Sequence, residues 1–92
     1  MTNVIVTLKI MPESTEVDLK KISEEAKNKI NDFAGSGEMK IEEHPIAFGL
    51  KSLNITFVMD ESKGSTEPLE ESIAEIKGVQ SVETTDVRRA IG

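Results

Sequence analysis

Few residues in this chain have types and spacings that could do chemistry. His44 is the one histidine, and there is no cysteine. A zinc site needs further imidazole or thiolate ligands, and nothing here supplies them. A triad needs a nucleophile and an orienting carboxylate around the imidazole, and no pattern marks either. Glu42-Glu43 and Glu70-Glu71 are adjacent pairs whose side chains diverge, so neither makes a general acid and base couple. Asp60-Glu61 offers a divalent ion two carboxylates and lacks the further oxygens that calcium takes. Gly35-Ser36-Gly37 is too short for a phosphate loop and has no lysine after it. No catalytic residue, metal site or cofactor is expected, and the chain is read as no enzyme.

Two other features stand out. In His44-Pro45-Ile46-Ala47-Phe48-Gly49-Leu50-Lys51, Pro45 favours an extended His44, and Gly49 opens backbone angles closed to other residues. Between them sits Phe48, one of three aromatic residues. A large ring beside a turn glycine is either folded onto the core or displayed to a partner. The second feature is Asp86-Val87-Arg88-Arg89, where two arginines stand beside an apolar end on an otherwise acidic chain. Such a pair is either a frayed, solvated terminus or a local contact point.

The rest of the sequence must position these groups. At 92 residues it is expected to form one domain, with 37% hydrophobic and 30% charged residues in the globular range. No apolar run approaches the length of a membrane span, and the first residues carry no signal-peptide pattern. A cytoplasmic protein is the expectation. The net charge of −6 and the absence of tyrosine and tryptophan argue against nucleic acid, which wants cations for phosphates and rings for bases. A protein partner fits better.

Val4-Ile5-Val6-Thr7-Leu8-Lys9-Ile10 alternates, with Val4, Val6, Leu8 and Ile10 on one face, and Pro12 closes it. Ser14 to Asp18 predicts a helix start, with Thr15 as the cap and Asp18 completing a near capping box. Leu19, Ile22, Ala26, Ile30 and Phe33 then form an apolar helical stripe that ends at Gly35. Residues 38–43 read as an edge strand, and 53–59 as a second central strand with Leu53, Ile55, Phe57 and Met59 inward. Residues 60–66 read as a polar loop. Thr66-Glu67-Pro68 opens a second helix with Leu69, Ile73 and Ile76 on its stripe, stopped by Gly78. Residues 79–87 are extended and 88–92 a tail. The order strand, helix, strand, strand, helix, strand lets each helix link parallel neighbours. It predicts an α+β, ferredoxin-like βαββαβ sandwich, a four-stranded antiparallel sheet with two helices on one face.

Pro45-Ile46-Ala47-Phe48-Gly49-Leu50-Lys51-Ser52-Leu53 resembles the proline, glycine-aromatic-glycine, lysine-leucine signature of the elongation factor 1-beta family, in its archaeal form. Val79 to Val87 is similar to that family's closing strand. The resemblance spans the chain and implies a single guanine-nucleotide exchange domain over 1–92. It implies as partner the elongation factor 1-alpha GTPase, whose nucleotide-free form such a factor binds. By the same resemblance Phe48 is the aromatic that enters a pocket on the GTPase, with Pro45, Gly49 and Lys51 around it. The eukaryotic relatives carry a lysine near their C-terminus that reaches the magnesium site. This sequence reads Ala90-Ile91-Gly92 there, so either Arg88 or Arg89 substitutes for that lysine or that part of the mechanism is absent; Asp86, Arg88 and Arg89 are the partner-binding residues expected at that end. Ala47 stands where the family often has glycine. The alternative from another class is a small ligand-sensing domain that dimerises edge to edge, with Gly35-Ser36-Gly37 shaping its site.

Overall fold

Alternation of β-branched residues builds the middle of a sheet in the computed structural model, which describes residues 3–35 and 37–89. Strand β1 (Asn3–Pro12) sends Val6, Leu8 and Ile10 to one face, all fully buried, and strand β3 (Lys51–Asp60) does the same with Leu53, Ile55, Phe57 and Met59. The two pair antiparallel from Asn3 opposite Asp60 to Ile10 opposite Leu53. Flanking them are β2 (Met39–Pro45) beside β3 and β4 (Val79–Arg89) beside β1, so the order is β2-β3-β1-β4. The outer strands are the polar ones, because an edge strand buries less and meets more water.

Helices α1 (Leu19–Ala34) and α2 (Glu67–Ala74) cover the apolar face. Ile22, Ala26 and Ile30 of α1 and Leu69 and Ile73 of α2 join the strand residues in one core, with Leu19, Phe33 and Val82 packed against it half-buried. At about 25 cal/mol per Å² of apolar surface, this contiguous cluster is the main force holding so small a domain together. Ile76 is buried too, from the turn after α2 rather than from the helix. The fold is the ferredoxin-like βαββαβ sandwich.

Four local expectations need correction. Asp18, not Thr15, caps α1, its carboxylate accepting from the Lys20 and Lys21 backbone N–H groups at 3.0 and 3.4 Å. Asp18 sits directly before the first helical residue, where the unpaired N–H groups point. The helices do not link neighbouring strands: β3 lies between β1 and β2, and β1 between β3 and β4. Every strand pair in the sheet is therefore antiparallel. Residues 60–66 include a 3-10 turn, Glu61–Lys63, capped by the Asp60 carboxylate on the Ser62 N–H at 2.8 Å. Finally, β4 continues through Arg88 and Arg89, which pair with Ile5 and Val4. They belong to the sheet and not to a tail. Ser36 and Ala90-Ile91-Gly92 lie outside the described residues, and Gly35 ends α1 with φ 87°.

Candidate functional site

The β2–β3 hairpin carries the first group of candidate residues. Its last rung pairs Pro45 with Lys51. Beyond it, residues 46–50 close through two backbone bonds. The Ile46 N–H donates to the Leu50 carbonyl at 2.8 Å, and the Leu50 N–H donates to the Ala47 carbonyl at 3.2 Å. Reversing the chain within so few residues requires left-handed backbone, and two consecutive residues supply it: Phe48 (φ 61°, ψ 32°) and Gly49 (φ 76°). Gly49 pays nothing for this conformation. A β-carbon built at Gly49 stands 3.7 Å from the Thr15 side chain, ordinary contact, so the glycine serves the backbone angle and not the space.

Phe48 is different. It is the one non-glycine residue with positive φ among the described residues. For a bulky side chain that conformation costs about 1–2 kcal/mol. Its ring is 95% exposed, forgoing the roughly 1.5–3 kcal/mol that burying it would contribute. Phe57, nine positions along the same hairpin, is 2% exposed and shows where a phenylalanine ordinarily goes. Two costs coincide at Phe48, and strain of this kind gathers where a chain must meet something else.

Around the ring, Pro45, Gly49 and Lys51 are exposed. A cleft of about 450 Å³ opens beside the tip, with Pro12, Thr15, Asp18, Glu43, Gly49 and Lys51 among its lining. On β2, Glu42 is 3.9 Å from the Lys40 ammonium and 3.7 Å from His44 Nε2. All three side chains are at least half exposed, so these pairs contribute little. His44 stays at the strand end with no partner of catalytic type.

The second group lies at the other end of the sheet. Asp86 stands opposite Thr7, Arg88 opposite Ile5 and Arg89 opposite Val4, whose other neighbour is Met59. From Lys51 to Met59 the strand rises roughly 26 Å. The molecule is 42 Å long by 21 and 19 Å, so the two groups occupy its two ends and are not brought together. Both arginines already have partners: Arg88 Nε is 2.8 Å from Asp86 Oδ2, and Arg89 Nη2 is 3.0 Å from Glu61 Oε1. Glu61 was not among the residues singled out from the sequence. Nothing in its local pattern marks it, since the 3-10 turn that aims it at Arg89 depends on where β3 ends.

Among the described residues, no group of three or more His, Asp or Glu side chains could hold a metal ion. No helix among them is long and apolar enough to cross a membrane.

Comparison with known sequences supplies a family. The profile of the EF-1 guanine nucleotide exchange domain matches residues 5–90. The chain is 53% identical over 89 residues to elongation factor 1-beta of Methanosphaera stadtmanae, covering 97% of this chain and 98% of that protein. It is 46% identical over 89 residues to elongation factor 1-beta of Methanothermobacter thermautotrophicus, with the same coverage. With the Methanocaldococcus jannaschii elongation factor 1-beta it shares 40% identity over 92 residues, 98% of this chain and 100% of that one.

Proposed function

The chain belongs to the EF-1 guanine nucleotide exchange domain family, and from that membership we propose that residues 1–92 form a single domain that promotes exchange of GDP for GTP on the elongation factor 1-alpha GTPase. The observation that carries the proposal is Phe48, a strained and fully displayed ring at the tip of a closed hairpin. It enters an apolar pocket on the GTPase, flanked by Pro45, Gly49 and Lys51, and disturbs the elements that hold the nucleotide and its magnesium. Asp86, Arg88 and Arg89 make a second, separate contact from the far end of the sheet, with one of the arginines in the role of the lysine found in eukaryotic relatives. The reaction is protein against protein in the cytoplasm, with no nucleic acid, membrane or cofactor engaged by this chain.

Exchange of this kind needs no covalent step. The factor binds the nucleotide-free GTPase more tightly than the loaded form, and linkage then requires it to weaken nucleotide binding by the same factor. A weakening of about a thousandfold corresponds to about 4 kcal/mol. A ring filling a desolvated pocket supplies about 2–4 kcal/mol of that contact.

The test is capture of elongation factor 1-alpha from the same source on the immobilised chain, in the absence of nucleotide. The complex should form, and GDP with magnesium should dissolve it. Retention that GDP leaves unchanged would refute the exchange reading, because a factor without preference for the empty form cannot drive release.

A further inference from the structure

We propose that the cleft beside Phe48 is the reciprocal half of the docking surface: while the ring enters the GTPase, the cleft takes a carboxylate-bearing side chain that the GTPase projects. The inference rests on the exchange reading above and deepens it, adding Lys20 of α1 to the interface.

Two segments wall the cleft. Glu43 pairs with Leu53, and Lys51 stands two residues before Leu53. Leu53 is buried in the core, so both charged side chains leave the sheet on the helix side. The chain between β1 and α1 meets them from that side, with the Thr15 methyl 3.7 Å from a β-carbon built at Gly49. Pro12 is buried and Val17 and Leu19 are half-buried, so the deep part of the lining is apolar. Lys20, Glu43 and Lys51 stand exposed around it. An apolar centre ringed by charge is the anatomy of a protein interface. It is continuous with the displayed ring, because Gly49, the residue after Phe48, lines the cleft.

The charges decide what the cleft takes. Asp18 also lines it, but its carboxylate already accepts from the Lys20 and Lys21 backbone N–H groups. No ion pair among the described residues includes Lys20, Glu43 or Lys51. Two ammonium groups are thus set against one remaining carboxylate, in a chain whose net charge is −6. A carboxylate is the group that they complement. The arginines of the far end offer no such opening, since each is already answered by an acid.

Charge at the margin of an interface acts mainly on association. Lys20→Glu should therefore raise the half-saturating concentration for stimulated GDP release about fivefold at low salt and leave the saturated rate unchanged. Added salt should remove most of that difference. Glu43→Gln takes away the opposing charge and should lower the same parameter about twofold. Lys21→Glu is the control. It makes the same change in net charge one residue along α1, but Lys21 lines a different cleft, with Lys77 and Gly78. Its half-saturation should stay close to that of the parent. Glutamate in the first turn of α1 suits the helix dipole, so the lysine variants should fold, and thermal melts confirm it.

Support is an effect of Lys20→Glu that Lys21→Glu lacks, with a shift of opposite sign from Glu43→Gln. A merely structural role for these exposed side chains would not produce opposite signs. If the two lysine variants act alike, or if either sign fails, the proposal is overturned and the exchange reading stands. If Phe48→Ala by itself leaves exchange untouched, the exchange role of the tip falls and the cleft falls with it.

Discussion

The two ends of this sheet hold their exposed functional candidates in opposite ways. At the hairpin tip a single uncharged ring is displayed by backbone geometry, at the expense of strain and of lost burial, in a loop closed by two backbone bonds. At the far end the candidates are charges, and each is already answered: Arg88 by Asp86 and Arg89 by Glu61, within side chains 41–76% exposed. A displayed ring has nothing to give up on docking except water, which favours association. A paired arginine must exchange one carboxylate for another, so its net contribution to a complex is small. On the function proposed above, the tip would supply affinity, and the far end orientation and encounter.

The largest expected effect sharpens this contrast at the tip. Phe48→Ala should cut stimulated GDP release by about 30-fold to 1,000-fold, the worth of a buried aromatic anchor of about 2–4 kcal/mol. The melting temperature should stay within about 1–2 °C of the parent, since alanine keeps the same β-carbon strain and the exposed ring leaves no cavity. Labelled-GDP release and a thermal melt on the same sample check both halves. A loss of many degrees would return Phe48 to the core and dissolve the comparison.

A far smaller effect is expected from the other end. Arg88→Ala with Arg89→Ala should slow association with the GTPase by about twofold to threefold at low salt, a difference that fades as screening shortens the reach of charge. The fold should be spared, because exposed ion pairs contribute only about 0.2–1 kcal/mol each. Stopped-flow release at two ionic strengths measures this. Equal rates for parent and double variant at low salt would remove the far end from the interface.

How much of this was legible in the sequence differs between the same two ends. The central strands were readable because Val6, Leu8, Ile10, Leu53, Ile55, Phe57 and Met59 fall at every second position, mostly with polar residues between them, and burial rewards that pattern directly. The α1 stripe was readable for the same reason. Residue types alone could not decide between a buried and a displayed Phe48, because the decision lies in the left-handed angle at Phe48, which follows from closing the hairpin. The arginines were misjudged as a tail because Val87-Arg88-Arg89 has no apolar alternation. The strand continues through them to pair with Val4 and Ile5 of β1, and ladder bonds are made by backbone that no side-chain pattern reports.

The smallest expected effect belongs to Asp60, which tests whether the two ends are independent. Its carboxylate accepts the Ser62 N–H at 2.8 Å, capping the turn that offers Glu61 to Arg89. That backbone bond first, and then the Ser62 hydroxyl, hold the Asp60 carboxyl below the usual carboxylate range. A group whose native pKa is depressed adds stability that is complete above its unfolded value of about 3.9 and is lost as pH falls through the native value. Asp60→Asn keeps an oxygen for the Ser62 N–H and removes the titration. The variant should melt slightly below the parent at neutral pH, lacking the small stability of the ionised carboxylate, and the two melts should converge as pH falls below about 4. Exchange at neutral pH should be unchanged, since the turn lies roughly 26 Å along the strand from the tip. A folded Asp60→Asn variant with slow exchange at neutral pH would show that the far end acts on the tip. The ring would then be displayed by the whole sheet and not by its hairpin alone.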